Sequence, residues 1–370
     1  MTGSGEDLRF MQLALTLGRR GLGNAWPNPA VGAVVVKDGV VLGRGWTQPG
    51  GRPHAETQAL RQAGEAARGA TLYVTLEPCS HHGKTPPCTD AIIASGIARV
   101  VSALGDPNPK VAGEGYARLR AAGIAVIEGL CAEEARRAHA GHIRRILDGR
   151  PHVTLKLAVS ADGKAALPGG KPVQITGEET RARVHLMRAM NDAILVGIRT
   201  VLADDPALTC RLPGMLAASP VRVVLDPALR LPENSQLVAS ATEIAVWVFC
   251  APDASPAREA LLAQHKVRII RGEGGPQGLD LPAVLRALSE RGITRLMAEG
   301  GPKVAASLLR AGLVDEAWLL RGAVTIGPDG IDALDGLPLS TRPEAPNLAL
   351  TGNETVGGDS HFHYERHGRR

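Results

Sequence analysis

The feature that most constrains this chain is one histidine and two cysteines, at positions 54, 79 and 88. A His and two Cys are the protein ligands of a catalytic zinc whose fourth position stays open for water. Glu56 follows His54 by two residues and is not itself a ligand, so it can take a proton from that water and hand it to a leaving amine. We therefore expect a zinc-dependent hydrolytic site in the first half of the chain.

A purely structural zinc is the main alternative. Structural sites have four protein ligands, and His81 or His82 could supply the fourth. That alternative leaves Glu56 without a role, so it ranks below catalysis. The remaining cysteines have no partner at a metal-binding spacing and are expected to be ordinary buried side chains: Cys131, Cys210 and Cys250.

The elements around the motif follow a regular order. Two apolar runs, at 30–36 and 40–46, flank the hairpin signal Asp38-Gly39. A helix is expected over 54–67 and a strand over 70–76. Pro78-Cys79 is expected to open a further helix, whose amides would favour the thiolate of Cys79. This order predicts a small three-layer α/β domain.

The chain changes character near residue 148, which divides it into expected domains at 1–148 and 149–370. One helix is expected before the boundary, at 132–147. Beyond it, strands are expected at 152–159, 193–197, 221–225, 244–250, 267–270 and 295–298. Helices are expected at 177–190, 282–291 and 303–311, with a loop at 200–206. Strands that alternate with helices predict a second α/β domain.

One segment of the second domain suggests a ligand site. Glu299-Gly300-Gly301-Pro302 joins the end of an expected strand to the start of a helix. Open α/β sheets bind ligands there, and phosphates meet backbone amides. No G-x-G-x-x-G follows a strand in the proper context, so a Rossmann domain is disfavoured. Spacing alone leaves the chemistry of this domain open.

Composition limits the class of protein. The chain has 370 residues and five cysteines, with no apolar N-terminal segment and no long apolar span, so we expect a cytoplasmic protein without a membrane partner. The net charge of +5 is not gathered in patches and only 3% of residues are aromatic, so nucleic acid is not an expected partner. Oligomeric state stays open, a homo-oligomer included. Residues 361–370 are expected to be a frayed terminus.

Several motifs of this chain resemble those of known enzymes. H-x-E…P-C…C is similar to the zinc nucleoside-deaminase pattern, but the cysteines lie nine positions apart. The stretch E-P-C-S-H-H-G-K-T-P-P-C-T at 77–89 closely resembles the bifunctional riboflavin-biosynthesis deaminase/reductase family. So do P-N-P-A-V-G at 27–32, P-H-A-E at 53–56, K-L-A-V-S-A-D-G-K at 156–164 and the segment 200–208. The match runs along nearly the whole chain in the right order.

The resemblance implies a cytidine-deaminase-like domain followed by a dihydrofolate-reductase-like domain. It implies hydrolytic deamination of a diaminopyrimidinone ribosylamine 5′-phosphate, then NADPH reduction of the ribosyl group to ribityl. In the first site, His54, Cys79 and Cys88 would hold Zn²⁺, with Glu56 as the catalytic proton shuttle. The implied substrate contacts there are Asn28, His81 and Lys84, the last two facing the phosphate. Asn28 serves equally well as a turn residue between prolines, and Thr47 stands where the family commonly has His.

In the second site, the resemblance implies hydride transfer from NADPH without a metal. The implied cofactor-binding residues are Ala158, Gln174, Thr200, Asp204, Gly301, Pro302, Lys303, Val304, Ala305, Ala306 and Ser307. The implied substrate-binding residues are Pro172, Arg188, Leu208, Arg211 and Glu299. Arg188 and Arg211 suit a 5′-phosphate, whereas Gln174 departs from the aromatic residue of some relatives. Arg199 precedes Thr200 and is either the partner of a 2′-phosphate or a solvated loop charge.

Two other classes of function remain alternatives. One is a zinc deaminase of free nucleosides or tRNA fused to an unrelated domain, which would not oxidise NADPH with the pyrimidine substrate. The other is a zinc-stabilised nucleic-acid-binding module, suggested only by the isoelectric point near 9.1. That module would have no open zinc coordination position.

Overall fold

The computed structural model describes residues 5–83, 85–109, 111–171, 173–275, 278–335 and 347–366. The chain divides into two compact units, Met1–Arg150 and Pro151–Arg370. Lys84 and Pro172, two expected substrate contacts, lie outside the described residues.

The first unit contains a five-stranded mixed sheet. Its helices are α1 (Gly5–Gly18), α2 (Ala55–Ala63), α3 (Cys88–Ala94), α4 (Glu114–Ala121), α5 (Ala132–Ala138) and α6 (Ala140–Asp148). Its strands are β1 (Gly32–Lys37), β2 (Val40–Trp46), β3 (Thr71–Val74), β4 (Arg99–Ser102) and β5 (Ala125–Glu128). The sheet order is β2-β1-β3-β4-β5, with β1 antiparallel to its neighbours and β3, β4 and β5 parallel.

Alternation along β1 explains the three layers of this unit. Ala33 and Val35 pack with α2 in one apolar cluster, whereas Val34 and Val36 pack with α1 in another. Successive side chains of a strand point to opposite faces, so both faces of the sheet are covered by helices. The expected three-layer α/β architecture is confirmed.

The second unit contains a nine-stranded sheet. The helices of this unit are α7 (Glu178–Ala189), α8 (Ile198–Asp204), α9 (Gln236–Ala239), α10 (Pro256–Gln264), α11 (Leu281–Glu290) and α12 (Pro302–Arg310). Its first strands are β6 (His152–Val159), β7 (Lys164–Ala166), β8 (Ala193–Gly197), β9 (Val221–Leu225), β10 (Val246–Cys250), β11 (Arg268–Arg271) and β12 (Gly274–Gly275). The others are β13 (Gly278–Leu279), β14 (Arg295–Glu299), β15 (Glu316–Arg321), β16 (Ile331–Asp332), β17 (Leu348–Val356) and β18 (Asp359–Arg366).

The large sheet has the order β11-β10-β9-β8-β14-β6-β15-β18-β17. It is parallel from β11 to β15, and β18 is antiparallel to both of its neighbours. The carboxyl ends of the parallel strands therefore meet at one edge, where α/β proteins bind ligands. Two short pairs, β12–β13 and β7–β16, complete the described sheets.

Outside the metal motif, three expectations about the elements are wrong. Residues 200–206 are not simply a loop, because α8 continues to Asp204 and ends where Asp205 takes a left-handed φ of 38°. The helix expected over 132–147 is two helices, α5 and α6, that meet at His139. Residues 361–366 are not frayed but belong to β18, where His361 is 1% exposed and hydrogen bonded to Thr180.

Within the described ranges, no helix combines the length and the apolar composition that crossing a bilayer requires.

Candidate functional site

Close packing of α2 on β2 sets the position of the histidine and glutamate of the motif. A Cβ at Gly43 would lie 2.0 Å from the carbonyl oxygen of Ala59, and one at Gly45 would lie 2.3 Å from that of Ala55. The two glycines therefore let the helix approach the strand more closely than side chains allow. His54 occupies the N-cap of α2, so Glu56 lies in its first turn, as the sequence predicted.

The histidine and the two cysteines of the motif come together. His54 Nδ1 lies 3.2 Å from Cys88 Sγ and 3.7 Å from Cys79 Sγ. All three ligand atoms lie within 4.8 Å of one another. Tetrahedral zinc, with bonds of about 2.0 Å to nitrogen and 2.3 Å to sulfur, places its ligand atoms about 3.5 Å apart. The donor set and its spacing therefore fit zinc.

Cys79 does not open a helix, contrary to the sequence prediction. It lies in a loop, and α3 begins at Cys88, after Pro86 and Pro87. Proline is tolerated at a helix start but not inside a helix, so the second cysteine begins the helix instead. The Cys88 amide donates to Cys79 Sγ at 3.2 Å. Donation from the Cys88 thiol and amide and from His54 lowers the pKa of Cys79 well below its ordinary value, although burial opposes this.

Glu56 lies two residues after His54 and is not among the three candidate metal ligands. Its side chain is buried, and burial, followed by the charge of Cys79, raises its pKa above the ordinary value, while His54 opposes the rise. A raised pKa makes a carboxylate a better acceptor for a proton from water. The four-ligand alternative receives no support: in the described residues, neither His81 nor His82 joins the cluster.

A cavity of about 270 Å³ opens beside this cluster. Asn28 lines it, donating to the Gly51 carbonyl at 2.9 Å and lying 3.2 Å from His54 Nε2. His81 lines it from the exposed loop before α3. Thr47 also lines it, but its hydroxyl accepts from the Val31 amide at 3.0 Å. Three further lining residues, Asp106, Asn108 and His142, were missed because they are distant in sequence and carry no motif.

Glu77 also lines the cavity, was not among the predicted site residues, and has a clear structural role. Its buried carboxylate accepts from the backbone amides of Asp106, Gly113 and Gly115 at 2.9–3.0 Å. These bonds hold the loop between β4 and α4 against the cavity. Its position directly before Pro78-Cys79, inside the motif, was a signal that could have identified it.

A second cavity, of about 480 Å³, lies in the other unit at the carboxyl ends of the parallel strands. It brings together many residues that the sequence predicted: Ala158, Gln174, Thr200, Asp204, Gly301, Pro302, Arg188, Leu208, Arg211 and Glu299. Arg199 lines it as well. The other expected cofactor residues lie farther along α12 and do not line it: Lys303, Val304, Ala305, Ala306 and Ser307.

The turn that enters α12 is shaped for a close approach. Gly300 and Gly301 have φ values of 85° and 82°, which residues with a side chain rarely adopt. A Cβ at Gly301 would lie 3.1 Å from Thr200 Oγ1. Gly300, Gly301 and Pro302 line the cavity beside Thr200, so the turn lies where the sequence predicted a ligand-binding segment.

Glu299 is the centre of a buried charge cluster. Arg188 binds both of its oxygens, at 2.8 and 2.9 Å, and Lys156 lies 3.4 Å away. Burial raises the pKa of Glu299, but Lys156 and Arg188 outweigh it and hold the pKa at about 2. Arg188 also donates to the Thr209 carbonyl at 3.1 Å, so its guanidinium is already engaged. Arg188 thus holds the carboxylate of Glu299 while both residues line the cavity, and Lys156 is a lining residue that the sequence prediction did not assign.

Comparison with known proteins now adds to this geometry. Residues 4–104 match the family described as the cytidine and deoxycytidylate deaminase zinc-binding region, and residues 151–362 match the RibD C-terminal domain. The chain is 45% identical to the riboflavin biosynthesis protein RibD of Aquifex aeolicus over 361 residues, which covers 98% of this chain and 99% of that one. The chain belongs to the RibD family. RibD of Escherichia coli is 41% identical over 376 residues, 97% of this chain and 99% of that one.

Solved structures of the RibD family agree. Acinetobacter baumannii RibD (form 1) superposes with a TM-score of 0.86 at 35% identity, covering 98% of this chain and 99% of that one. A Thermotoga maritima diaminohydroxyphosphoribosylaminopyrimidine deaminase/5-amino-6-(5-phosphoribosylamino)uracil reductase gives a TM-score of 0.83 at 37% identity, with the same coverage. These findings confirm the predicted family, a deaminase-like and a reductase domain, deamination and reduction in riboflavin biosynthesis, and Zn²⁺ and NADPH as cofactors.

Proposed function

We propose that the chain catalyses two successive steps on small phosphorylated pyrimidines. The first is hydrolytic deamination of 2,5-diamino-6-(5-phosphoribosylamino)pyrimidin-4(3H)-one. The second is NADPH reduction of the ribosyl group of 5-amino-6-(5-phosphoribosylamino)uracil to ribityl. The observation that carries the proposal is the cluster of His54, Cys79 and Cys88 with Glu56 buried beside it.

In the first step, His54, Cys79 and Cys88 would hold zinc, which when bound supplies the Lewis acidity that activates water for hydrolysis. Glu56 takes the proton from the attacking water and delivers it to the departing amino group, which leaves as ammonia. Asn28, fixed by the Gly51 carbonyl, orients the substrate. His81 and Lys84 are proposed to face the ribose phosphate.

In the second step, NADPH supplies the hydride, and the protein orients the nicotinamide against the sugar carbon. Ala158, Gln174, Thr200, Asp204 and the segment 301–307 are proposed to bind the cofactor. Pro172, Arg188, Leu208, Arg211 and Glu299 are proposed to bind the substrate, and Arg188 also holds the carboxylate of Glu299. We assign deamination to residues 1–148 and reduction to residues 149–370, and we propose a cytoplasmic location.

A single coupled assay tests this proposal. Purified protein receives the diaminopyrimidinone phosphate with and without NADPH, while ammonia and absorbance at 340 nm are followed. We expect ammonia in both reactions and NADPH oxidation that depends on prior deamination. Deamination without any NADPH oxidation would contradict the reduction step, and absence of both activities would favour a deaminase of another substrate class fused to an unrelated domain.

A further inference from the structure

The deaminase cavity contains a cation to which nothing above gives a role. Arg52 lines its wall together with His81, Gly83 and Thr85. Among the described residues, it is the one Arg or Lys in that lining. Thr47, which also lines the cavity, is neutral, and its hydroxyl already accepts from the Val31 amide.

The guanidinium of Arg52 reaches the loop that precedes α3. It donates to the Thr85 hydroxyl, and a Cβ at Gly83 would lie 3.4 Å from its Nη2. No carboxylate of the described part of the chain forms an ion pair with it. The charge is therefore not neutralised, and the planar group has donors left to bind an anion.

The residues that line the cavity become more exposed from its inner end to its outer end. Glu56 is buried at its inner end, His54 and Arg52 are half-buried, and His81 and Thr85 are exposed. A substrate whose reacting ring lies against Glu56 must direct its ribosyl phosphate outward, toward this exposed wall. Arg52 thus lies where the charged end of the substrate arrives.

We propose that Arg52 binds the 5′-phosphate of the deaminase substrate. The inference rests on the proposed deamination and extends it to a residue that determines preference for the phosphorylated substrate. A guanidinium binds a phosphate with charge-assisted hydrogen bonds, which are stronger than neutral ones. The bond to Thr85 holds the guanidinium at the wall before the substrate arrives.

Ammonia release by Arg52→Gln, Arg52→Lys and the control Arg61→Gln tests the proposal. Arg61 is an exposed cation of α2 that does not line the cavity. Each protein is assayed with the phosphorylated substrate and with its dephosphorylated counterpart. Arg52→Gln should lower kcat/KM roughly 10-fold or more for the phosphorylated substrate and change kcat/KM for the dephosphorylated substrate less than about twofold. With the phosphorylated substrate, kcat/KM of Arg52→Lys should lie between those of the wild type and Arg52→Gln, and Arg61→Gln should match the wild type.

Inhibition provides a second readout that needs no turnover of the dephosphorylated substrate. Ribose 5-phosphate should inhibit ammonia release by the wild type better than ribose, and Arg52→Gln should remove that difference. Equal losses on both substrates would show that Arg52 only holds the Thr85 loop, and no loss on either would also overturn the inference. If the wild type released no ammonia from the phosphorylated substrate, the proposed function itself would be wrong.

Discussion

Removal of the Arg188 guanidinium should destabilise the second unit and leave the first unit unaffected. Arg188 is 8% exposed and binds both oxygens of Glu299 at 2.8 and 2.9 Å. In Arg188→Gln, Lys156, at 3.4 Å, is the one cationic partner left to this carboxylate among the described residues. Breaking a buried pair by removing one partner typically costs about 3–5 kcal/mol, because the other charge stays buried.

The pKa of Glu299 measures the combined effect of its two cationic partners, Lys156 and Arg188, against burial. It is about 2 in the folded protein against an ordinary 4.5, which corresponds to about 3 kcal/mol of stability. Because the folded-state pKa is the lower one, this stability is present above pH 4.5 and is lost as the pH falls from 4.5 toward 2. The stability difference between wild type and Arg188→Gln should therefore be full at pH 7 and shrink at pH 4.

Arg183→Gln is the matched control on the same helix. Arg183 pairs with Glu354 at 2.8 Å, but their side chains are 38% and 44% exposed, so the loss should stay below about 1 kcal/mol. Urea-dependent hydrogen exchange, measured peptide by peptide, separates residues 151–370 from residues 1–150. Similar losses for Arg188→Gln and Arg183→Gln at pH 7 would refute the assignment of Arg188 as the stabilising partner of Glu299.

Three further variants test other parts of the account. Glu56→Gln should keep bound zinc, measured by metal analysis, and lower ammonia release about 10²–10⁴-fold, because an amide cannot accept the water proton; near-normal release would show that another group shuttles it. Arg199→Ala should weaken NADPH binding roughly 10- to 150-fold and leave NADH binding almost unchanged if Arg199 pairs with the 2′-phosphate; equal dissociation-constant changes for both cofactors would remove that role. Gly45→Ala places a Cβ 2.3 Å from the Ala55 carbonyl oxygen, so it should displace α2. We expect the free energy of unfolding, followed by thermal denaturation, to fall by about 1–3 kcal/mol, and zinc binding to weaken in chelator competition. An unchanged Tm would show that the packing is looser than described.

The metal cluster was predictable because its signal is local. His54, Cys79 and Cys88 lie within 35 residues of one another, and a histidine with two cysteines so close in sequence is typical of a metal site. The strands of the second unit were likewise visible as apolar runs; β6, β8 and β9 have the predicted bounds. Position 79 was misjudged because a helix-start signal before it competed with the stronger proline pair before Cys88.

What the sequence could not predict depends on distant pairing. The carboxylate of Glu299 meets a guanidinium 111 positions earlier in the chain, and no local pattern announces that contact. Residues 361–366 looked like a polar tail, yet pairing with β15 and β17 makes them an inner strand of the sheet. Tertiary context overrides local polarity in such cases, since strand pairing satisfies the backbone and buries one face.

Zinc removal tests most directly the central claim that one chain carries two chemically separate sites. The protein is treated with a chelator under conditions that preserve its circular dichroism, then assayed for ammonia release and for NADPH-dependent reduction of pre-deaminated substrate. We expect ammonia release to be abolished, reduction to stay near its original rate, and added Zn²⁺ to restore deamination. Loss of both activities with the fold intact, or persistence of ammonia release without metal, would contradict the account.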